Sequence, residues 1–568
     1  MLTVKKELKH FLNTDILPDE IFTPEDFSDE HIMLEEMTEK FVKNRVYPAL
    51  GNIENQEFDE TVRLIKEAGE LGLISADIPE QDGGQELGKV SASIISEKMA
   101  LGRSFSITFG GQTGIGALPI AYFGTEKQKE MYLPKMLTGE TIAAYALTEP
   151  SSGTDAMSAK TTAVLSKCGT YYILNGEKQW ISNSSIAAIF IVYAKVKGEK
   201  FTAFIIEKGY EGVSISPEEK KMGLRGSSTC SLILDNVRVP SENVIGEVGR
   251  GHIIAFNVLN IGRHKISATS LGTAKRSIEL AVSYANERKQ FGKPISSFNL
   301  IKNKLADMAI KTYANESSVY RTAGAMQEGF ENMKQIGSAD FGETTARYAL
   351  ACSINKVMST EVLDFIVDEA LQIHGGYGYM EEYEIETLYR DSRVNRIFEG
   401  TNEINRTLIA STLLKAYELP SKKGNVDEGK LLREKQTLQL MKNLYHSTIE
   451  AVRKNGLTNL NQEQETAAFI ADLVIGIYSA ESSILRTEKA VQVTGEDKNS
   501  QKIAYTKVFI HETSQSVAIR ALNILNHLGD DEVFSRIAGR LIMSSPEDIV
   551  EVKRRIADVI IEAEKYVS

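Results

Sequence analysis

Four short runs of β-branched and aromatic residues, YYIL (171–174), AIFIVYA (188–194), TAFII (202–206) and CSLIL (230–234), decide the fold of this chain. All four lie within residues 141–240, and runs of this composition and length are typical of strands. The dipeptide Asn175-Gly176 directly follows the first run and favours a tight hairpin. The stretch therefore predicts a small antiparallel sheet or barrel.

Helical periodicity surrounds this stretch on both sides. Residues 29–137 carry apolar side chains at helical spacing, and the same period returns after Gly249. Two apolar stripes of the later region are Leu271, Ala274, Ile278, Val282 and Ala285, and Val362, Ile366, Ala370 and Ile373. The segment ELPSKKGNVDEGK (418–430) then combines Pro, Gly and dense charge before another helical region that reaches Ser568.

This order predicts a mainly α fold with a central β-domain. We expect an N-terminal helical domain at 1–138, an antiparallel β-barrel or sheet domain at 139–245, a helical bundle at 246–417 and an extra C-terminal helical domain at 430–568. A chain of 568 residues exceeds what one hydrophobic core usually serves, which agrees with several domains.

Composition excludes several classes of protein. The 77 acidic residues outnumber the 65 basic ones, and residues 421–568 carry 20 Lys+Arg against 21 Asp+Glu, so charge does not favour nucleic-acid binding. The three cysteines cannot build a disulfide framework, and neither they nor the eight histidines have the spacing of a metal site. We therefore expect a reducing compartment and no metal.

The amino-terminal sequence has neither a signal-peptide nor a transit-peptide pattern. The most apolar stretches, such as 187–194, are shorter than the run of about 20 residues that crosses a bilayer. We expect a bacterial cytoplasmic protein without a membrane span.

Four segments carry unusual residue combinations, and each has an ordinary explanation. YALTEPSSGTD (145–155) could be a polar loop that closes a strand. QWISN (179–183) holds the only tryptophan, which could lie in the core, anchor at the surface or stack on a planar cofactor. ERKQFGKP (287–294) could be an ordinary helix C-cap.

The fourth segment joins QIHGGYGY (372–379) to DSRVNRIFEGTNEINR (391–406). Glu399 lies there between Phe398 and Gly400, just before another helical pattern. Its carboxylate could complement the dipole of that helix. Alternatively, apolar neighbours could raise its pKa so that it acts as a general base.

TEPSSGTD, QWISN, RKQFG, QIHGGYGY and IFEGTNEI resemble, in this order and spacing, the signature segments of the acyl-CoA dehydrogenase family. The similarity covers residues 30–415. The helical extension to Ser568 further resembles the very-long-chain branch, which includes an assembly-factor paralogue of respiratory complex I. The resemblance implies a helical domain, a β-domain and a second bundle, with FAD bound between the last two.

The resemblance also implies roles for particular residues. The implied flavin-lining residues are Tyr145, Leu147, Thr148, Gly153, Trp180, Ser182 and Thr401. The implied contacts to the adenosine diphosphate part, some across a dimer interface, are Arg288, Gln290, Phe291, Gln372, Gly375 and Gly376. The implied substrate contacts are Thr154, Asn260, Arg263 and Gly400.

Glu399 matches the family's catalytic base, which removes the α-proton of an acyl-CoA. Some branches place the base immediately before an arginine that matches Arg263, but that position here is Gly262, which cannot accept a proton. Thr154 replaces a serine found in many members and keeps the hydroxyl. Glu399 is therefore the remaining candidate for the base.

The implied activity is oxidation of an acyl-CoA to a trans-2-enoyl-CoA in fatty-acid β-oxidation, by a homodimer that passes electrons to electron-transfer flavoprotein. Alternatives are an acyl-CoA oxidase, a flavoprotein scaffold for assembly, and a DNA-binding relative, which the near-neutral last domain disfavours. The stretch FGGQTGIGALP (109–119) matches the inner end of the acyl cavity in the long-chain branch. Its glycines could leave room for chains of roughly C12 to C18, or could simply allow close helix packing.

Overall fold

The computed structural model describes residues 10–333, 341–417, 431–457, 459–528, 532–542 and 548–568. The chain forms two compact units. The sheet unit consists of Ser28–Gly272 and Met326–Ala346, and the bundle unit consists of Met1–Phe27, Thr273–Ala325 and Arg347–Ser568. The predicted mainly α fold with a central β-domain is confirmed.

The strands of the sheet unit form one eight-stranded sheet. The strands are β1 (Ala143–Ala146), β2 (Thr162–Leu165), β3 (Tyr171–Ser182), β4 (Ile189–Val196), β5 (Lys200–Glu207), β6 (Val213–Ile215), β7 (Thr229–Pro240) and β8 (Val244–Ile245). Their order is β6-β7-β3-β2-β4-β5-β8, with β1 beside β4. Most pairs are antiparallel, whereas β4 pairs in parallel with both β1 and β2.

The predicted hairpin at Asn175-Gly176 is wrong. Both residues lie inside β3, where the pairing with β7 shifts register between Leu174 and Gly176. A Cβ atom on residue 176 would lie 2.4 Å from Oγ1 of Thr161, so glycine is needed for close approach rather than for a turn. The β2–β3 connection turns earlier, at Gly169, which has φ of +76°.

Along the chain, helices precede and follow the strands of the sheet. The α-helices before β1 are His10–Asn13, Asp29–Phe41, Leu50–Glu54, Phe58–Glu70, Gly88–Met99, Ser104–Gly110, Leu118–Phe123 and Glu126–Leu137. The core of the sheet is apolar and includes Phe190, Val192 and Phe204, each fully buried. Burial on both faces explains why β4 and β5 read as continuous apolar runs.

The bundle unit has one extensive core. Three helices after β8 lie partly in the sheet unit, namely Gly251–Glu287, Asn299–Met333 and Phe341–Arg347. The other helices after β8 are Ala349–His374, Glu384–Ser392, Asn402–Ala416, Leu432–Lys454, Gln464–Thr494, Ser500–Leu528, Glu532–Ile542 and Ile549–Ala563. The predicted boundary at 418–430 lies outside the described residues. On either side of it, buried residues such as Ile366 and Ile477 belong to the same apolar cluster.

The helix Gln464–Thr494 is longer than the apolar stretches that the sequence analysis considered too short to cross a bilayer. Among the described residues, it is long and apolar enough to cross a membrane by length and composition. However, 83% of its most apolar window is buried by the protein. Its hydropathy is therefore explained by its place in the core of the bundle unit.

Candidate functional site

The segment that follows β1 is joined to β3 within the sheet unit. The backbone N–H of Gln179 donates to the carbonyl of Thr148 at 2.9 Å, which places Thr148 beside Trp180. Tyr145 and Leu147 are buried, whereas Thr148 and Ser182 are half-buried. The structure therefore brings these five predicted residues to one region of the sheet unit.

Trp180 does not lie in a core. Its side chain is 60% exposed, and its φ of +57° is unusual for a non-glycine residue. An exposed indole ring held on a strand by an uncommon backbone conformation suits stacking against a planar ligand. This observation excludes a core position for the lone tryptophan and leaves a surface anchor or stacking on a planar cofactor.

A buried ion pair, which sequence reasoning missed, holds this region together. Nζ of Lys178 donates to Oε1 of Glu149 at 2.7 Å and to the carbonyl of Leu147 at 3.2 Å. Glu149 also accepts hydrogen bonds from the backbone N–H groups of Lys160 and Thr161. Lys178 is adjacent to the QWISN segment, but its partner lies 29 residues away, and no local pattern reveals the pair.

The turn that contains Gly153 and Thr154 is open. Glu149 and Ser152 pair as an isolated bridge directly before it, and Gly153 and Thr154 are exposed. A Cβ atom on residue 153 would meet no atom within 4 Å. The backbone here is accessible to a ligand.

Asn260 and Arg263 lie one turn apart on the helix Gly251–Glu287. Nη1 of Arg263 donates to Oδ1 of Asn260 at 2.8 Å, and both residues are buried.

The next residue, His264, contacts Oγ of Ser93 through Nε2 at 2.8 Å. Burial, together with the charges of two nearby lysines, lowers the pKa of His264 to about 4, so the ring is neutral at physiological pH.

The glycine-rich stretch contains a π-helix, Gly111–Gly116, between two α-helices. A Cβ atom on residue 116 would lie 2.9 Å from the carbonyl oxygen of Gly111 and 3.0 Å from Cβ of Ala143, which is close packing. A Cβ on residue 110 would meet nothing within 4 Å, and one on residue 114 would meet Cδ of Lys265 at 3.7 Å. Gly116 therefore serves close packing, as does Gly111, where a Cβ atom would lie 2.9 Å from Nδ2 of Asn183.

In the bundle unit, RKQFG forms a hairpin and not a simple helix C-cap. Lys289–Gln290 pairs with Lys293–Pro294, and both turn residues, Phe291 and Gly292, have positive φ. Arg288 is exposed and lies over the ring of Tyr377 at 5.6 Å. The hairpin therefore stands beside the QIHGGYGY segment.

The helix Ala349–His374 ends in this segment. Gly375 has φ of +59°, and a Cβ on residue 375 or 376 would meet no atom within 4 Å. Gln372 and both glycines are exposed, and Phe291 is 93% exposed. In the bundle unit, the Arg288 guanidinium, the Gln372 side-chain amide and the accessible backbone of Gly375 and Gly376 therefore lie on neighbouring segments.

Glu399 lies in a strained loop. Its φ is +55° and that of Gly400 is +83°, and a non-glycine residue rarely adopts the first of these. Thr401 caps the next helix, because its Oγ1 accepts from the backbone N–H of Ile404 at 3.3 Å. Glu399 is half-buried, and its Oε2 atom is buried.

Lys356, which the sequence did not indicate, contacts this loop. Its Nζ donates to the carbonyl of Gly400 at 2.8 Å and to Oδ1 of Asn402 at 2.7 Å. Nδ2 of Asn405 donates to the same Gly400 carbonyl at 2.8 Å. The peptide that follows Gly400 is therefore held by two hydrogen-bond donors.

The residues of each unit fit parts of FAD. The exposed indole of Trp180 and the hydroxyls of Thr148 and Ser182 suit a flat polar ring system. The exposed Arg288 guanidinium suits a phosphate, and the open backbone at Gly375 and Gly376 admits close approach of a ligand.

Comparisons with known proteins agree with this arrangement. The acyl-CoA dehydrogenase N-terminal domain matches residues 28–140, the middle domain matches 144–237, and two models described as the C-terminal domain match 249–414 and 447–534. A probable acyl-CoA dehydrogenase of Bacillus subtilis is 48% identical over 583 residues, with 98% of each chain covered.

Two further relatives extend the comparison. The mitochondrial very long-chain specific acyl-CoA dehydrogenase of Macaca fascicularis is 40% identical over 409 residues, which are 69% of this chain and 60% of that enzyme. A crystal structure of an acyl-CoA dehydrogenase complexed with FAD, from Bacillus anthracis, matches with a TM-score of 0.94 at 48% identity. That match covers 98% of this chain and 99% of the other.

Proposed function

The chain belongs to the acyl-CoA dehydrogenase family, and we propose from that premise that it binds FAD and oxidises long-chain fatty acyl-CoA to trans-2-enoyl-CoA. The observation that carries this proposal is the Glu399–Gly400 loop, in which two consecutive residues have positive φ and one bears a carboxylate. Such strain persists only where the surroundings hold it, and it is common at active sites.

Glu399 acts as the general base and takes the proton from the α-carbon of the acyl group. FAD, when bound, would supply the acceptor for the hydride that leaves the β-carbon. The backbone N–H of Glu399 stabilises the negative charge that develops on the thioester oxygen. Asn260 and Arg263 are proposed to contact the CoA part, Thr154 its pantetheine arm, and Gly400 lets the backbone approach the thioester.

The proposal extends to partners and organisation. We assign electron-transfer flavoprotein as electron acceptor, a homodimer as the assembly, the bacterial cytoplasm as location, and the four domains at 1–138, 139–245, 246–417 and 430–568. An acyl-CoA oxidase and an assembly scaffold are the alternatives. The intact Glu399 loop favours an active enzyme over a scaffold.

The test is anaerobic reduction of the bound flavin by palmitoyl-CoA and by butyryl-CoA, with wild type and Glu399→Gln. We expect rapid bleaching by palmitoyl-CoA in wild type, and FAD retention with turnover reduced by at least roughly 10²-fold in Glu399→Gln, because an amide cannot accept the α-proton. Glu403→Gln, an exposed carboxylate one turn later, is the matched control and should stay active.

Near-normal turnover in Glu399→Gln would remove Glu399 as the base. Absence of bleaching by either substrate in wild type would favour the scaffold. Rapid reoxidation of the reduced flavin by oxygen, without electron-transfer flavoprotein, would favour the oxidase.

A further inference from the structure

Lys356 is a fully buried lysine on the helix Ala349–His374. Its ammonium donates to the Gly400 carbonyl at 2.8 Å and to Oδ1 of Asn402 at 2.7 Å. Both acceptors lie within three residues of Glu399. The charged end of this side chain is therefore directed at the loop that carries the proposed base.

The neighbours of Lys356 continue this polar network. Nδ2 of Asn402 donates to Oγ1 of Thr360 and to Oε1 of Glu361, each at 3.1 Å. Glu361 in turn accepts two hydrogen bonds from Arg406, at 2.7 and 2.9 Å. The side chain of Asn402 is thus fixed on both its oxygen and its nitrogen.

A buried ammonium loses its hydration, so it is retained only where its hydrogen bonds compensate. Glu399 and Gly400 both have positive φ, a conformation that the surroundings must impose on a glutamate. Fixing the Gly400 carbonyl fixes the orientation of the Gly400–Thr401 peptide, which begins one residue after Glu399. This restricts the backbone on which both the carboxylate and the N–H of Glu399 depend.

We propose that Lys356 is a positioning residue for Glu399, and that its ammonium keeps the Glu399–Gly400 loop in the conformation that proton removal requires. The inference rests on the proposed role of Glu399 as the base. Lys356 itself need not contact the substrate, because its effect passes through the Gly400 peptide.

The experiment compares Lys356→Met with Lys442→Met, a matched control in the same unit. Lys442 is also a buried lysine, and its Nζ donates to Oε1 of Glu481 at 2.6 Å. Both substitutions remove a buried ammonium and leave a side chain of similar length. The measurements are kcat and KM for palmitoyl-CoA, FAD content, Tm, and amide hydrogen exchange of the peptide 397–405 with and without FAD.

We expect Lys356→Met to lower kcat by roughly 10- to 100-fold, since small misplacements of a catalytic group cost rates of this order. KM should change by less than about threefold, and the amides of 397–405 should exchange faster with and without FAD. Lys442→Met should lower Tm while leaving kcat and that peptide unchanged. Lys356→Arg, which keeps the charge, should recover part of kcat.

If Lys356→Met changes only Tm, as Lys442→Met does, or leaves the exchange of 397–405 unchanged, the proposal is overturned. If Lys356→Met does not fold, Lys356→Gln serves instead, because its shorter amide keeps a polar group but no longer reaches the Gly400 carbonyl. We expect the same lowered kcat and nearly unchanged KM for this variant. Inactivity of the wild type, or full activity of Glu399→Gln, would defeat the proposed function, whereas the exchange experiment would still test whether Lys356 holds the loop.

Discussion

The ammonium nitrogen of Lys178 lies 2.7 Å from Oε1 of Glu149, and both side chains are buried in the sheet unit. Burial lowers the pKa of Lys178 to about 8. Burial alone would raise the pKa of Glu149, but the Lys178 charge and the hydrogen bonds it receives hold that pKa below its ordinary value. The pair ties the segment after β1 to the strand that carries Trp180.

Removal of one partner should therefore damage both stability and cofactor binding. We expect Lys178→Met to cost about 3–5 kcal/mol of unfolding free energy, because Glu149 becomes a buried charge without its cation. The FAD content of this variant, measured by absorbance, should also fall, because the strand that carries Trp180 loses its link to the segment after β1. The double variant Lys178→Met/Glu149→Gln should recover most of the stability, and equal losses in the single and double variants would contradict this account.

The Arg288 hairpin provides a test of assembly. If Arg288 reaches FAD in a partner subunit, Arg288→Ala should lower FAD occupancy and loosen the dimer together, since a ligand stabilises only the form that binds it. Flavin absorbance and light scattering measure the two effects. Arg238→Ala is the control, because Arg238 also lies over a tyrosine ring, at 5.5 Å from that of Tyr171. A change in neither property of Arg288→Ala counts against the cross-subunit assignment.

The sequence predicts features that depend on residues close together in the chain better than contacts between residues far apart in it. Residues at helical spacing, such as Ala274, Ile278 and Val282, are buried as predicted, because periodicity is local information. The Asn175-Gly176 prediction failed because the approach of Thr161, 15 residues earlier in the chain, overrode the turn preference of that dipeptide.

The candidate site shows the same limit. Motif resemblance indicated Glu399 and Trp180, whose surroundings suit the roles assigned to them. It did not indicate Lys356, which lies 44 residues from the carbonyl that it holds. Contacts of this separation depend on how helices pack, which no single segment encodes.

A buried cluster in the bundle unit should anchor the C-terminal helices. Arg486 is 1% exposed, donates to Oε2 of Glu316 at 2.6 Å, and contacts both carboxylate oxygens of Glu25 at 3.0 Å. Arg486→Met should cost about 3–5 kcal/mol in urea unfolding, because the buried carboxylate of Glu316 and the half-buried one of Glu25 lose their shared cation. The exposed Arg520, which pairs with the half-buried Asp472, serves as control, and Arg520→Met should cost less than about 1 kcal/mol. Similar costs at the two sites would refute the anchoring role.

His264 should make the protein sensitive to acid. Its pKa is about 4 in the folded protein and 6.5 ordinarily. Between these values the unfolded chain binds the proton and the folded chain does not, so stability falls as pH falls. The loss should total about 3 kcal/mol. His264→Gln should remove this part of the pH dependence of urea midpoints, whereas His252→Gln, half-buried on the same helix, should not. Unchanged acid sensitivity of His264→Gln would contradict the assignment.

The four glycines near the π-helix allow a test of acyl length that separates space from packing. Gly110 faces open space, and Gly114 has only ordinary contact with Lys265, so the Cβ atom of a leucine is accommodated at either position. Each methylene that the cavity buries is worth about 0.8 kcal/mol, so a filled inner end should penalise long chains most. We expect wild type to prefer roughly C12 to C18, and Gly110→Leu and Gly114→Leu to shift kcat/KM toward shorter chains. Gly116→Ala should instead reduce activity equally at every length, because its Cβ would lie 2.9 Å from the Gly111 carbonyl and disturb the π-helix. A wild-type optimum at C4 to C6, or leucine variants that lose activity uniformly, would show that this stretch serves packing alone.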